Sequence, residues 1–150
     1  AASGQTDDMS FENVAVLGAT HIDTLRIFLH LLGVSGWIGG QIVMLGLFPL
    51  LRSLGAEAPQ IAARRFAQIA WPCFGLAVAT GLWGLVAVGV DGGDTDYLIL
   101  LLVKLSLVGL SGASALIHAT SKSPALRGVT GALGFLGALG ALFAGSALVS

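Results

Sequence analysis

Few side chains in this sequence could do chemistry, and those that could lie within long apolar stretches. His30 and Lys104 each interrupt such a stretch, and Met44 and Cys73 add sulfur atoms inside two of them. An ionisable group inside a membrane costs a few kcal/mol unless it is paired or hydrated, so each one is a candidate functional residue. A pair of soft sulfur atoms would suit monovalent copper. The candidate metal ligands are therefore His30, Met44 and Cys73.

Each of these residues also has a plain structural interpretation. The long side chain of Lys104 can reach lipid headgroups, and His30 can join two helices by a hydrogen bond. Met44 and Cys73 can simply fill space, because both residue types pack well in apolar interiors. His118 falls at the end of its stretch, where an imidazole needs no special role. Both interpretations stay open at the level of sequence.

Helical periodicity gathers the polar residues of each stretch on one face, because steps of three and four positions return to the same side of a helix. In the first stretch this face carries Asp23, Arg26, His30, Gly33, Trp37, Gly40, Gln41 and Met44. The second stretch offers Cys73, Thr80 and Trp83, and the third offers Lys104, Ser111, Ser114 and His118. We expect these polar stripes to face the interior of a helix bundle.

Residue counting predicts which of these groups lie at the same depth. At about 1.5 Å per residue, His30 and Lys104 both lie roughly 10 to 12 Å below the outer ends of their helices. Asp23 or an acidic turn with Asp91, Asp94 and Asp96 could supply counter-charges. The sequence thus predicts a polar pocket near the outer side. Its expected members are Asp23, Arg26, His30, Trp37, Gln41 and Lys104.

The same count argues against haem and places the sulfur atoms together. His30 and His118 differ in depth by about 19 Å, and His21 and His30 occupy opposite faces of one helix. No pair of histidines in the chain is therefore expected to hold one haem iron, although a single ligand or a site completed by another subunit stays open as a weaker idea. Met44 and Cys73 both fall about seven residues from the inner ends of their helices.

The composition shows what must position these residues. Of 150 residues, 55% are apolar, 22 are glycine and only 10% are charged, against about 25% charged in soluble domains. A compact fold of this size cannot bury so much apolar surface. With seven Lys and Arg against eight Asp and Glu, there is no basic excess for nucleic acid binding. One cysteine excludes a disulfide framework, and no hydrolytic or nucleotide-binding motif is present, so we expect no enzyme activity.

The apolar stretches predict an all-α integral membrane protein, a four-helix bundle. A polar extracytoplasmic segment over residues 1–20 precedes a four-span domain over 21–150, with spans at about 22–51, 66–90, 97–119 and 126–149. About twenty residues suffice to cross a bilayer. Arg52, Arg64 and Arg65 follow the first span, and Lys122 and Arg127 follow the third. Positively charged loops stay in the cytoplasm, so both termini are expected on the extracytoplasmic side.

Glycine placement predicts how the helices associate. Membrane helices approach closely where small residues line the contact. The fourth span carries glycines at a spacing of three, and the first contains a small-xxx-small pair. The predicted packing glycines are Gly36, Gly40, Gly128, Gly131, Gly134, Gly137 and Gly140.

Several segments together resemble the CopD-like domain of copper-resistance protein D. They are His30-Leu-Leu-Gly-Val-Ser-Gly-Trp37-Ile-Gly39-Gly40, Arg64-Arg65-Phe66, Thr80-Gly81 and Tyr97-Leu-Ile-Leu-Leu-Leu-Val-Lys104-Leu. The likeness runs from about His21 to the C-terminus. It implies a bacterial protein of the cytoplasmic membrane that takes part in copper uptake or resistance. It also implies functional roles for His30, Trp37 and Lys104.

The sequence departs from that family in two respects. Full copper-resistance D proteins have further spans before this domain, whereas four are found here. The N-terminal segment offers only Met9 and His21 rather than methionine- and histidine-rich tracts that collect copper. The leading expectation is copper handling from the extracytoplasmic side. The alternative is an accessory structural subunit of a larger respiratory, photosynthetic or oxygenase complex, and a haem-associated membrane protein is a weaker third. The expected partner is another membrane protein or a second copy of the chain in a homo-oligomer.

Overall fold

The computed structural model of the protein describes residues 4–89 and 95–148, with side chains described from residue 18 onward except for Val88. All regular secondary structure in these ranges is helical. The helices are α1 (Gly4–Ser53), α2 (Ala58–Val88), α3 (Thr95–Thr120) and α4 (Pro124–Ala147). Each contains a segment long and apolar enough to cross a membrane. The all-α prediction is confirmed for the described part of the chain.

Local sequence explains where the helices begin and end. Gly55 follows α1 with φ 127° and Gly89 follows α2 with φ 68°, backbone conformations that a residue with a Cβ rarely adopts. At the start of α4, the Ser123 hydroxyl accepts a hydrogen bond of 3.4 Å from the Leu126 amide. Pro124 then occupies the first helical position, where its missing N–H costs nothing.

Two helices are longer than the apolar stretches that predicted them. The 50-residue α1 runs without a break from Gly4 through the polar segment, and no proline interrupts it there. The second helix begins at Ala58, before Arg64 and Arg65, with a proline in its first turn. Charged residues end an apolar stretch but not a helix, because long basic side chains can extend away from the apolar surface.

The first two helices form an antiparallel pair, the α1–α2 hairpin, held together at glycines. Gly33 lies so close to α2 that a Cβ at this position would be 2.7 Å from the amide nitrogen of Ala77. Further along, Gly40 receives the ring of Phe66, and Gly36 packs between these two levels. These contacts make α1 and α2 neighbours along most of the length of α2.

The last two helices form a second antiparallel pair, the α3–α4 hairpin. Five glycines of α4 pack against α3: Gly131, Gly134, Gly137, Gly140 and Gly145. The closest approach to the backbone of α3 is at Gly137, where a Cβ would lie 3.1 Å from the carbonyl oxygen of Leu107. Gly128 was predicted to belong to the same packing ridge, but no atom lies within 4 Å of a Cβ there. Three residues turn an α-helix by about 300°, so a row of glycines at this spacing winds around α4, and Gly128 is rotated away from the face that meets α3.

The two hairpins meet around a small central core. The buried apolar side chains there are those of Trp37, Ile38, Ala70 and Ala138. Helix–helix contact between the hairpins is concentrated between α1 and α4, and the ring of Phe74 on α2 fits against Gly112 on α3. Contacts within each hairpin are far more extensive than those between them.

The outward faces of the helices are apolar. Large side chains such as Val86, Leu102 and Phe143 are 83%, 64% and 75% exposed, and many other leucines, isoleucines and valines share this position. A water-soluble bundle would bury these residues and expose polar ones. The surface of the described helices is therefore the kind that lipid covers.

Candidate functional site

His30 occupies the contact between α1 and α2. Its Nδ1 lies 2.9 Å from the carbonyl oxygen of Ala77 and 3.1 Å from the hydroxyl of Thr80. A carbonyl oxygen only accepts hydrogen bonds, so Nδ1 carries the proton that is donated to Ala77. The Thr80 hydroxyl in turn donates to the carbonyl of Leu76 at 2.6 Å. The backbone of α2 thus fixes both the orientation and the tautomer of the imidazole.

The second ring nitrogen of His30 remains available. In the neutral ring, Nε2 carries a lone pair because the proton is on Nδ1. No hydrogen bond joins Nε2 to any described residue. Every buried side-chain nitrogen or oxygen atom among the described residues does have a hydrogen-bond partner. Nε2 is therefore not buried. It can serve as a metal ligand or as a proton acceptor.

Lys104 lies at the same level as His30 but in the other hairpin. Trp37 and Ser111 are joined by a hydrogen bond of 3.1 Å between the parallel helices α1 and α3. His30 and Lys104 each precede these residues by seven positions, about two helical turns. The Lys104 side chain is partly buried against Gly145 of α4, and its ammonium makes no hydrogen bond or ion pair with a described residue.

Positive charge predominates around His30. Both Lys104 and Arg26 lie within electrostatic range of the imidazole. The Arg26 guanidinium packs over Gly84 and forms an ion pair of 3.2 Å with Asp23, one turn earlier on α1. Of the other proposed counter-charges, Asp96 lies in the first turn of α3, and Asp91 and Asp94 lie outside the described residues. Among the side chains that the structure describes, two cations therefore act on His30, and one of them, Arg26, is paired with Asp23.

Two residues predicted for this pocket belong to a different layer. Trp37 donates its indole N–H to Ser111, and Ser111 donates to the carbonyl of Gly134 at 2.8 Å. Gln41 lies one turn further along α1 and donates to the carbonyl of Trp37 at 3.0 Å. The predicted polar pocket is therefore divided. An outer-cluster of Asp23, Arg26, His30, Thr80 and Lys104 is separated from a central layer of Trp37, Gln41 and Ser111.

The structure also separates the two sulfur atoms that were predicted to pair. Cys73 packs its Sγ against Gly36, whereas Met44 lies eight positions further along α1, about 12 Å of helix. The depth count failed because it began at Phe66, whereas α2 begins at Ala58. Among the residues that the structure describes, no three His, Cys, Asp or Glu side chains form a group that could hold a metal ion.

Two further residues of the predicted stripes lie away from the cluster. His118 donates from Nδ1 to the carbonyl of Arg127 at 2.7 Å and packs against Gly131. It lies at the end of the bundle where the loops 54–57 and 121–123 are found, which we call the two-loop end. His30 belongs to the opposite end. Trp83 was expected to face the interior, but it is 40% exposed.

The sequence analysis did not identify the residues against which the candidate functional side chains pack. Gly81 faces the ring of His30 and Gly84 faces Arg26, and the spacing of three that joins these glycines is a signal that could have identified them. Trp71 and Phe74 were also missed. Their ring centroids lie 5.6 and 4.6 Å from that of Trp37, forming an aromatic cluster at the centre of the bundle.

The outer-cluster can offer one oriented imidazole nitrogen to a ligand in a setting of positive charge. Comparison with known proteins adds no assignment: no family model, no curated protein and no solved structure matches this chain.

Proposed function

We propose that the chain is a multi-pass protein of a bacterial cytoplasmic membrane, with both termini on the extracytoplasmic side, and that it handles copper in the manner of CopD-like proteins. Four apolar helices of sufficient length support the spanning arrangement. Basic residues lie beside or within both described loops between helices: Arg52 precedes the loop 54–57, and Lys122 lies in the loop 121–123. This supports placing the two-loop end in the cytoplasm. On this orientation His30 lies near the extracytoplasmic side.

The hydrogen bond from His30 Nδ1 to the Ala77 carbonyl carries the copper proposal. Histidines that bind metals usually donate their other ring nitrogen to a carboxylate or a backbone carbonyl, which fixes the tautomer and points the lone pair at the metal. Neutral imidazole nitrogen is a suitable ligand for copper. In this proposal Cu⁺ arrives from the extracytoplasmic side and binds to Nε2.

The charges around His30 indicate how tightly the ion would be held. Cu⁺ at Nε2 would be repelled by the nearby cations Lys104 and Arg26. Two unit charges separated by about 10 Å repel each other by on the order of 1 to 2 kcal/mol at an intermediate dielectric. One protein ligand and two repelling charges make a site that releases its ion readily. Weak binding suits a protein that passes copper on rather than one that stores it.

The test measures Cu⁺ affinity of the purified protein in detergent against a colorimetric chelator. We expect His30→Ala to abolish binding and Lys104→Met to tighten it on the order of tenfold, because the second change removes a repelling charge. His118→Ala is the matched control, since His118 also bonds a carbonyl through Nδ1 but lies at the other end. Equal effects of the two histidine substitutions, or no copper binding at all, would refute the proposal.

One observation favours an accessory subunit as a second candidate. Arg26 packs over Gly84, so α2 ends at about the level of Ile22. Counting back equally along α1 and α3 from the hydrogen-bonded pair Trp37 and Ser111 places the start of α3 near the level of His21. The backbone of α1 continues as a helix to Gly4, roughly 25 Å beyond its described neighbours. An isolated helix of this length is marginally stable in water, so a partner chain would stabilise it.

Purification from native membranes in a mild detergent tests this candidate. A fixed set of co-eluting membrane proteins that is lost when residues 4–17 are deleted would support the accessory role. The deletion removes no described residue of the outer-cluster, so copper affinity is measured on the same preparation. Copper binding that persists without any partner favours the first proposal.

A further inference from the structure

The basic residues of the chain are concentrated at the two-loop end of the bundle. Of seven Lys and Arg, five lie at the two-loop end, together with one of the eight Asp and Glu. These residues are Arg52, Glu57, Arg64, Arg65, Lys122 and Arg127. The formal charge of this end is therefore +4, against −5 for the rest of the chain. None of the five cations forms an ion pair with a described carboxylate.

A groove of about 630 Å³ opens at this end, between the two hairpins. Its lining comes from the end of α1, the α1–α2 loop and the starts of α2 and α4: Phe48, Arg52, Gly55, Ala56, Pro59 and Pro124. The volume falls in the range of small-molecule sites in proteins. Phe48, Pro59 and Pro124 give the groove an apolar surface, and Arg52 is its only charged residue.

The geometry of Arg52 leaves its hydrogen-bond donors available. Its guanidinium carbon lies 5.6 Å from the centroid of the Phe48 ring, a cation–π arrangement. Stacking uses the face of the guanidinium and leaves the N–H groups at its edge for a planar or tetrahedral anion. Glu57, the one carboxylate of this end, lines a separate indentation with Gln60, Ile61 and Arg64. Within the groove the charge of Arg52 is therefore not neutralised.

The start of α4 adds to the same field. Pro124 lines the groove and is the first residue of α4, so the positive end of the helix dipole lies at the rim. An anion in the groove would gain from Arg52, from this helix end and from the net charge of the surrounding loops. An anion attached to apolar chains would in addition cover Phe48 and the adjoining apolar faces of α1.

We propose that this groove binds the headgroup phosphate of an anionic phospholipid, with Arg52 as its principal donor. Basic pockets between membrane helices on the cytoplasmic side are suited to such headgroups. A bidentate contact between the guanidinium and phosphate oxygens would fix the lipid in place. The inference requires only that the chain spans a bilayer and is independent of copper handling. The lipid would join the two hairpins where few protein contacts do so.

The test uses the whole chain, freed of lipid in a neutral detergent and titrated with phosphatidylglycerol or phosphatidylcholine while bound lipid is counted by native mass spectrometry. We expect phosphatidylglycerol to bind at least tenfold more tightly, and Arg52→Gln to remove most of that preference. Arg65→Gln is the matched control, because it deletes the same charge at the same end from a residue that does not line the groove. It should change the affinity less than threefold.

Several results would overturn the proposal. Equal losses in Arg52→Gln and Arg65→Gln would mean that the lipid responds to the overall charge and not to the groove. Equal affinity for the two lipids would exclude phosphate recognition by charge. Competition by glycerol 1-phosphate at a similar concentration would mean that a free phosphate ester, rather than a lipid, is the ligand. If Arg52→Gln fails to fold, Arg52→Lys provides the comparison. This variant keeps the positive charge but loses the two parallel N–H donors of the guanidinium, so it should bind phosphatidylglycerol several-fold more weakly.

Discussion

Ser111 is the residue on which the junction of the two hairpins depends most. It is 1% exposed, accepts the Trp37 indole N–H and donates to the Gly134 carbonyl. One small hydroxyl thereby connects α1, α3 and α4. A buried donor that loses its acceptor costs about 1 to 3 kcal/mol, although hydrogen bonds measured inside membrane proteins average nearer 0.6 kcal/mol.

We predict that Ser111→Ala lowers the free energy of unfolding by about 1 kcal/mol. The measurement is reversible unfolding in mixed detergent micelles, followed by tryptophan emission, which should also shift because the Trp37 N–H loses its acceptor. Ser106→Ala is the control, since Ser106 is exposed on the same helix. If both variants unfold alike, the hydrogen bond makes no net contribution to stability.

For single residues, the sequence predicted that His30 and Lys104 lie at the same level of the bundle. It did not predict the hydrogen-bond partners of His30. The common level of His30 and Lys104 follows from the count and agrees with the offset between Trp37 and Ser111. The sequence could not predict the hydrogen bond from His30 to the carbonyl of Ala77, because every residue has a backbone carbonyl. Thr80, the second partner of the imidazole, is only a weak indication that His30 packs at this level of α2. The supposed pairing of Met44 with Cys73 failed because it depended on an unknown helix start.

At the scale of helices, stability rests on close backbone approach at a few glycines. Gly33 is the sharpest case, since the atoms that a Cβ would meet belong to the backbone of α2 and cannot rotate away. Gly128 has the same residue type on a helix of similar apolarity but faces open space. The two positions therefore form a natural matched pair.

We predict that Gly33→Ala destabilises the protein by at least 2 kcal/mol, in the range of an overpacked core. Gly128→Ala should be neutral or stabilising by up to about 1 kcal/mol, because alanine favours helix more than glycine does. Thermal unfolding in detergent compares the two variants directly. Comparable destabilisation by both would mean that the contacts at Gly33 are not what hold α1 against α2.

The sequence predicted the helices better than their limits. Long charge-free stretches identify the apolar part of each helix, but Ala58–Arg65 is helical despite two arginines, and α1 continues through a polar segment. The glycine pattern correctly predicted that α4 has a packing face lined by glycines. It was wrong for Gly128, because a spacing of three turns the helix by about 300° a step and the row of glycines winds off the face that contacts α3.

For the whole molecule, the separation of charge predicts orientation. Five of the seven Lys and Arg lie at the two-loop end, and such a bias favours retention of that end in the cytoplasm. We expect alkaline phosphatase to be active when fused after residue 150 and inactive when fused within the loop at residues 54–57. Fluorescence of green fluorescent protein fused at the same sites should show the opposite pattern. Active phosphatase at the loop fusion would reverse the proposed orientation and place His30 towards the cytoplasm.

The imbalance of contacts within and between hairpins also bears on how the chain is made. During synthesis α1 and α2 leave the ribosome first, and they close their glycine interface without needing a residue from the second half. The α3–α4 hairpin does the same, since its own small residues supply its contact. What remains is a late docking step around Trp37, Phe74 and Ser111. The order of synthesis therefore matches the order in which contacts can form. Each hairpin can cover its own packing glycines before the other hairpin docks.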